Sequence, residues 1–216
     1  MANMLVVYYS WSNGNTKRIA EALAKETGAD IARIETVQPY TGSHEAVVEQ
    51  GQQEVNRGYR PPIQPLALDV KNYDVIAIGT PTWWYTMAPA VLSFLEQQDF
   101  SGKTVIPFMT NGGWPGHVIK DMKTACKGAK FAYEKKIRFD STGGPHLETP
   151  EMEIRQLGKK YGKTETSLEI APFARISSAF NRRSARLSLF SLLARSISSI
   201  SFSLNLYLKA IFITQI

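Results

Sequence analysis

Three short runs of consecutive apolar residues, separated by helix-length segments, constrain this chain more than any other feature. They lie at Met4 to Tyr9, Asp74 to Gly79 and Thr104 to Thr110. Apolar residues at successive rather than alternate positions mark strands that are buried on both faces. Such strands need helices above and below them, and the intervening segments supply these. Lys17 to Thr27 carries an apolar stripe of Ile19, Ala20, Leu23 and Ala24, and Gly28 is placed to end the helix. Ser43 caps a second helix running to about Arg57 and Gly58, and a third spans about Ala88 to Gln97. A fourth lies near His117 to Ala125, and Thr149-Pro150-Glu151 opens a last one with an N-cap, an N1 proline and a first-turn acid.

The remaining strands are more mixed in character. Ile31 to Val37 reads as a strand near the sheet edge, and Lys130 to Phe139 as a fifth strand. Pro107 inside the fourth strand is an objection to that assignment, because proline cannot donate to a ladder. Arg60 to Pro65 is a proline-rich connector without periodicity. Strands alternating with helices at this spacing predict an α/β fold. With right-handed crossovers, the arrangement that fits is a doubly wound five-stranded parallel sheet in the order 2-1-3-4-5.

The charge distribution separates two regions. The 216-residue chain has a net charge of +6, but the last 45 residues hold six basic side chains and no acidic one. The body before them is therefore neutral, which argues against a nucleic-acid-binding groove. We expect a domain over residues 1–165 and an atypical Ser/Arg/Leu-rich extension over 166–216. Cys126 is the only cysteine, so neither an intramolecular disulfide nor a thiolate metal site can form, which suits a reducing cytoplasm. Met1-Ala2-Asn3-Met4 lacks a basic n-region, and no secretory signal is expected.

The chemically rich segments follow strands 1, 3 and 4, whose carboxyl ends lie side by side where the strand order reverses. The first offers Ser10, Ser12, Asn13, Gly14, Asn15 and Thr16 at a helix start. Free amides and the helix dipole there suit a phosphate. With no Lys or Arg inside the loop, uncharged donors point to a terminal monophosphate. The loop matches neither the Lys-bearing triphosphate motif nor GxGxxG. The same residues equally suit a polar turn that caps the helix through Asn15 or Ser12. The second segment is Thr80, Pro81, Thr82, Trp83, Trp84 and Tyr85, whose aromatic faces suit stacking on a flat ring or packing on the core. The third is Thr110, Asn111, Gly112, Gly113 and Trp114, where exposed backbone groups could bond a polar ring edge and Trp114 could cover a ring face. A flexible surface loop is the alternative. His44, His117 and His146 are far apart without acidic or cysteine partners at ligand spacing, so no metal is expected.

Together, Ser10 to Lys17, Thr80 to Trp84 and Thr110 to Gly113 resemble the flavodoxin family over about residues 3 to 156, including the stretch Phe139 to Leu147. The resemblance is to bacterial flavodoxin-like proteins with a Trp-Trp pair after the third strand. Relative to the family loop T/S-x-T/S-G-x-T, Asn13 is an additional residue before Gly14. The resemblance implies a flavodoxin-like fold and noncovalently bound FMN held by the three segments. It implies an electron-transfer protein serving redox partner proteins. Two other functions stay open: an NAD(P)H-dependent quinone or flavin reductase of the same fold, and a non-catalytic binding module.

The extension resembles nothing in the family. Gly158 and Gly162 are expected to interrupt the last helix, at a cost of about 1 kcal/mol each relative to alanine. Beyond it, ten serines mix with Leu, Ile, Phe and Arg in the last 45 residues. Three readings stand: membrane contact, an extra helix packing on the domain or a second subunit, and a non-native extension. Membrane contact is disfavoured because Arg195, Asn205 and Lys209 break the apolar stretch.

Overall fold

The computed structural model describes residues 3–167. In chain order the elements are β1 (Met4–Tyr8), α1 (Asn15–Thr27), β2 (Asp30–Arg33), α2 (His44–Asn56), β3 (Val75–Trp83), β4 (Thr86–Met87), α3 (Pro89–Gln97), β5 (Thr104–Asn111), α4 (Val118–Ala125), β6 (Lys130–Phe131), β7 (Lys135–Arg138) and α5 (Glu151–Ser167), with one 3-10 turn at Val70–Asn72. The parallel sheet runs β2-β1-β3-β5, and its fifth position is shared by β6 and β7, both parallel to β5. This is the expected doubly wound order, with the last strand split in two. The segment between the two halves includes Tyr133, whose φ of 47° bends the chain out of the ladder.

The split explains how Pro107 fits inside a central strand. The edge partners of β5 are Thr104 and Val105 toward β6, and Phe108 to Asn111 toward β7. Ile106 and Pro107 lie opposite the gap, where no edge strand asks for the missing N–H.

Side chains of the sheet alternate between two cores. Leu5, Val7 and Tyr9 face α2, α3 and α4, packing with Val47, Val91, Phe94 and Met122. Met4, Val6 and Tyr8 face α1 and α5, packing with Ile19, Leu23, Ile154, Leu157 and Tyr161. Each large apolar side chain buried this way contributes about 1.5–3 kcal/mol. The lone cysteine, Cys126, is buried in the first core.

Two expectations are corrected. Thr80 to Trp83 does not follow the third strand but belongs to it: β3 continues through it and turns at Trp84–Tyr85 into β4, with Trp83 opposite Thr86. Trp84 and Tyr85 have φ of 50° and 66°, the paired left-handed conformations of a two-residue hairpin turn. Nor do Gly158 and Gly162 interrupt α5, which runs unbroken to Ser167. Gly158 lies against α1, where an added Cβ would stand 2.8 Å from Glu26 Cβ. It is there for close approach, not as a breaker. The three readings of the tail concern residues 168–216, which lie outside the described residues. Among the described residues no helix is long and apolar enough to cross a membrane.

Candidate functional site

The carboxyl ends of β1, β3 and β5 converge on one cleft, and the residues around it come from all three expected segments. Asn13, Asn15 and Thr16 line it from the first, Pro81 from the second, and Thr110, Asn111 and Gly112 from the third. The sheet register produces this: Gly79 is opposite Tyr8, and Pro81 is opposite Thr110. A 2.8 Å hydrogen bond between the Thr16 and Thr110 hydroxyls ties the start of α1 to the end of β5.

The first segment is built like an anion nest. Gly14 is the N-cap of α1 in the left-handed conformation (φ 73°), and no side chain caps the helix. This rules out a cap by Ser12 or Asn15. The first-turn amides of α1 therefore have no helical acceptor, and no acidic side chain occupies that turn. Four residues before that cap, Ser10 is 5% exposed, and its hydroxyl has no hydrogen-bond partner. A buried hydroxyl without a partner is costly, so one is expected where a ligand completes the site. Ser12 is exposed with φ 58°. The arrangement fits a terminal phosphate: uncapped amides, an aligned helix dipole, a spare hydroxyl and a glycine where the backbone must approach the anion.

The asparagines do something the sequence did not suggest. Asn13 Nδ2 donates to the Gly143 carbonyl, and Asn15 Nδ2 donates to the Gly144 carbonyl at 3.1 Å. Arg18 donates to the Pro145 carbonyl at 3.0 Å. The segment between β7 and α5 thus folds over the loop between β1 and α1 as a fourth wall, adding Phe139, Asp140 and Gly143 to the cleft. Asp140 organises that wall by accepting from the Thr142 hydroxyl and from the amides of Thr142, Gly144 and His146. Those donors, the Thr142 hydroxyl foremost, hold its carboxyl below the usual range for aspartate. Trp11 also lines the cleft.

Other expected residues are placed around the cleft rather than in its wall. Trp83 is wholly buried among Tyr9, Trp11 and Tyr40 and faces the core. Thr80 and Thr82 are buried and hold backbone: the Ala88 amide donates to Thr80 at 3.0 Å, and Thr82 donates to the Thr110 carbonyl at 3.3 Å. Trp84 donates from Nε1 to the Val48 carbonyl at 2.8 Å. Tyr85 is half-buried in the turn. Asn111, itself in the cleft wall, secures β7, donating to the Ile137 carbonyl at 3.1 Å and accepting from the Gly113 amide at 2.8 Å. Gly113 lies beside Arg138, and Trp114 is 41% exposed, outside the cleft wall.

Signals for the missed residues were present in the sequence. Trp11 stands between two assigned members of the first segment, and Asp140 precedes a Gly-Gly pair at the end of the last strand.

Comparisons with known proteins agree with this fold. A family model described as Flavodoxin matches residues 3–145. An "NAD(P)H dehydrogenase (quinone)" of Paracoccus denitrificans is 35% identical over 167 residues, covering 67% of this chain and 76% of that protein. A solved structure from Bacteroides eggerthii, described as a candidate flavoprotein, is 30% identical with a TM-score of 0.59, over 72% of this chain and 95% of that one. A flavoprotein of Lactobacillus acidophilus, solved in complex with FMN, has a TM-score of 0.56 at 23% identity, over 63% and 93% of the two chains.

Proposed function

This chain belongs to the flavodoxin family, and on that premise we propose that it binds FMN noncovalently in the cleft and transfers electrons through it. The observation that carries the reading is the uncapped start of α1, preceded within four residues by the buried, unpartnered Ser10 hydroxyl. The FMN complex of the Lactobacillus relative supports the choice of ligand. When bound, FMN supplies reversible electron uptake and release, and the protein supplies binding, orientation and electrostatics. Gly14 and the amides of the α1 first turn hold the phosphate. Thr16, Thr110 and Asp140 are positioned along the cleft for sugar hydroxyls, and Pro81, Asn111 and Gly112 border the ring. Trp84, Tyr85 and Trp114 flank this region from the two adjoining loops.

We assign the chain to electron transfer with redox partner proteins, in a reducing cytoplasm that its single cysteine suits. A second reading, reduction of a quinone by NAD(P)H, is favoured by the name of the Paracoccus relative. Reconstitution with FMN, followed by visible absorption and fluorescence-quenching titration, tests the binding. A protein that is colourless after incubation with excess FMN and removal of the free flavin would contradict it. Steady oxidation of NAD(P)H with a quinone acceptor would assign the reductase role. Reduction only by a protein donor or by light would assign the carrier role.

A further inference from the structure

From the cleft a chain of aromatic rings runs into the first core. Trp11 lines the cleft, and its ring centroid is 6.2 Å from that of Trp83 at an interplanar angle of 66°. Trp83 in turn is 5.2 Å from Tyr40. The Tyr40 hydroxyl donates a 2.6 Å hydrogen bond to Glu54 Oε2, and Gln50 donates to Oε1 at 2.8 Å. Glu54 is only 2% exposed although it sits on α2, whose outer face was free to hold a carboxylate in water. A buried carboxylate is costly and is retained where its hydrogen bonds are needed.

We propose that Trp11, Trp83, Tyr40 and Glu54 form a path that carries an oxidising equivalent away from the cleft and stores it on Tyr40. The path rests on the FMN reading above, with light-excited oxidised flavin as the one-electron acceptor. One electron leaves Trp11 for the flavin, one moves from Trp83 to Trp11, and one moves from Tyr40 to Trp83. Tyr40 releases its phenolic proton to Glu54. The flavin has then gained one electron, Tyr40 has lost one electron and one proton, and Glu54 holds that proton. Return of the electron and the proton restores the start.

The hydrogen bonding decides where the hole stops. Trp83 Nε1 is buried without an acceptor, so oxidised Trp83 has no base to take its proton and cannot be trapped as the neutral radical. Gly51 brings α2 directly against that indole, since an added Cβ would lie 2.8 Å from Trp83 Cε2. Tyr40 has its acceptor already in place. A tyrosine that gives up its proton along an existing hydrogen bond is far easier to oxidise than one that must release it to water. Burial and the Glu54 carboxylate both raise the Tyr40 pKa, so Tyr40 keeps its proton until it is oxidised.

Flash photolysis of the FMN-loaded protein, read by transient absorption and electron paramagnetic resonance, tests the path. A parallel arm uses FMN-free protein with a soluble photogenerated ruthenium(III) polypyridyl oxidant. Tyr59 and Tyr133, the exposed phenols among the described residues, and Tyr207 are replaced by phenylalanine in both arms. We expect a neutral tyrosyl signal that is lost in Tyr40→Phe. Glu54→Gln and Trp83→Phe should lose it too, each leaving a tryptophan radical. Near-ultraviolet circular dichroism confirms that each variant is folded, and Glu54→Gln keeps the test open should Trp83→Phe not fold. A tyrosyl signal that survives Tyr40→Phe overturns the proposal, as does one unchanged in both Glu54→Gln and Trp83→Phe. Should FMN not bind, the flavin arm is silent and the FMN reading fails, while the ruthenium arm still decides the path.

Discussion

The backbone amide of His117 donates a 2.8 Å hydrogen bond to the carbonyl of Tyr85, joining the loop after β5 to the strained turn after β3. The contact exists because Gly116 precedes His117 with φ 52° and lies directly on the Tyr85 backbone, with no room for a Cβ. Two loops that flank the cleft are thereby locked together, and the left-handed pair Trp84–Tyr85 is held in place. Left-handed non-glycine residues persist only where their surroundings enforce them.

Gly116→Ala should therefore act on both loops at once. The added methyl group meets backbone, which cannot swing aside, and the left-handed conformation disfavours it independently. We expect a loss of about 1–3 kcal/mol of stability together with weaker FMN binding. Urea unfolding and an FMN titration read the two effects. Full stability in this variant would show that the two loops are not locked.

Ser10→Ala separates ligand binding from folding. The hydroxyl is buried and has no partner within the protein, so its removal takes away no hydrogen bond from the free chain. Stability without FMN should change by no more than about 0.5 kcal/mol or rise slightly, because an unmet polar group disappears. Binding of FMN should weaken by about 1 kcal/mol, roughly fivefold, if the hydroxyl donates to the phosphate. The reverse pattern, a destabilised free protein with unchanged affinity, would assign Ser10 to the fold instead.

The wall over residues 140–146 is predicted to depend on pH through Asp140. The folded-state pKa of Asp140 is depressed, chiefly by the Thr142 hydroxyl and then by the amides of Gly144, His146 and Thr142. A depressed folded pKa means a stabilisation that is fully present above the unfolded value of about 3.9 and lost as pH falls through the folded one. The wall should therefore be intact at neutral pH and should open in acid. Hydrogen exchange at the Gly144 and His146 amides, followed downward in pH, reads this opening. Asp140→Asn should raise exchange at neutral pH and flatten its dependence on acid. Because Asn13 and Asn15 hold carbonyls of the same wall, opening should also release their side-chain amides from those carbonyls.

The parts of this fold that were legible in the sequence are those set by local patterning. β1 and β5 announce themselves as continuous apolar runs because they are covered on both faces. The α1 start is marked by Gly14, and α2 by the Ser43 cap, whose side chain accepts from the Ala46 amide at 3.2 Å. What local patterning cannot convey is long-range contact. Thr80 to Trp83 is polar and aromatic enough to read as a loop, yet it is strand because β5 and β4 pair with it. Stacking on a ring and packing on the core suit Trp83 equally in sequence, and the approach of Tyr9, Trp11, Tyr40 and Gly51 encloses its ring in the core. The wall led by Asp140 closes the cleft from more than a hundred residues beyond Asn13, a distance no window along the chain can span.

Gly158 gives the clearest conflict between local rule and tertiary packing. By helix propensity alone, Gly158→Ala in α5 should stabilise the protein by about 1 kcal/mol. In the fold, the new Cβ would stand 2.7 Å from Glu26 Cγ and 2.8 Å from Glu26 Cβ. The Cγ can move with its side chain, but the Cβ is fixed to the backbone of α1, so the two helices must separate. Overpacking of this kind costs about 1–3 kcal/mol, which outweighs the propensity gain. The buried contacts of Ile154, Leu157 and Tyr161 would loosen as α5 shifts. We therefore expect net destabilisation by thermal or urea unfolding. The companion change Glu26→Gly removes the opposing Cβ, and in that background Gly158→Ala should turn neutral or stabilising. A double-mutant cycle without this coupling would show that α5 does not depend on close approach at Gly158.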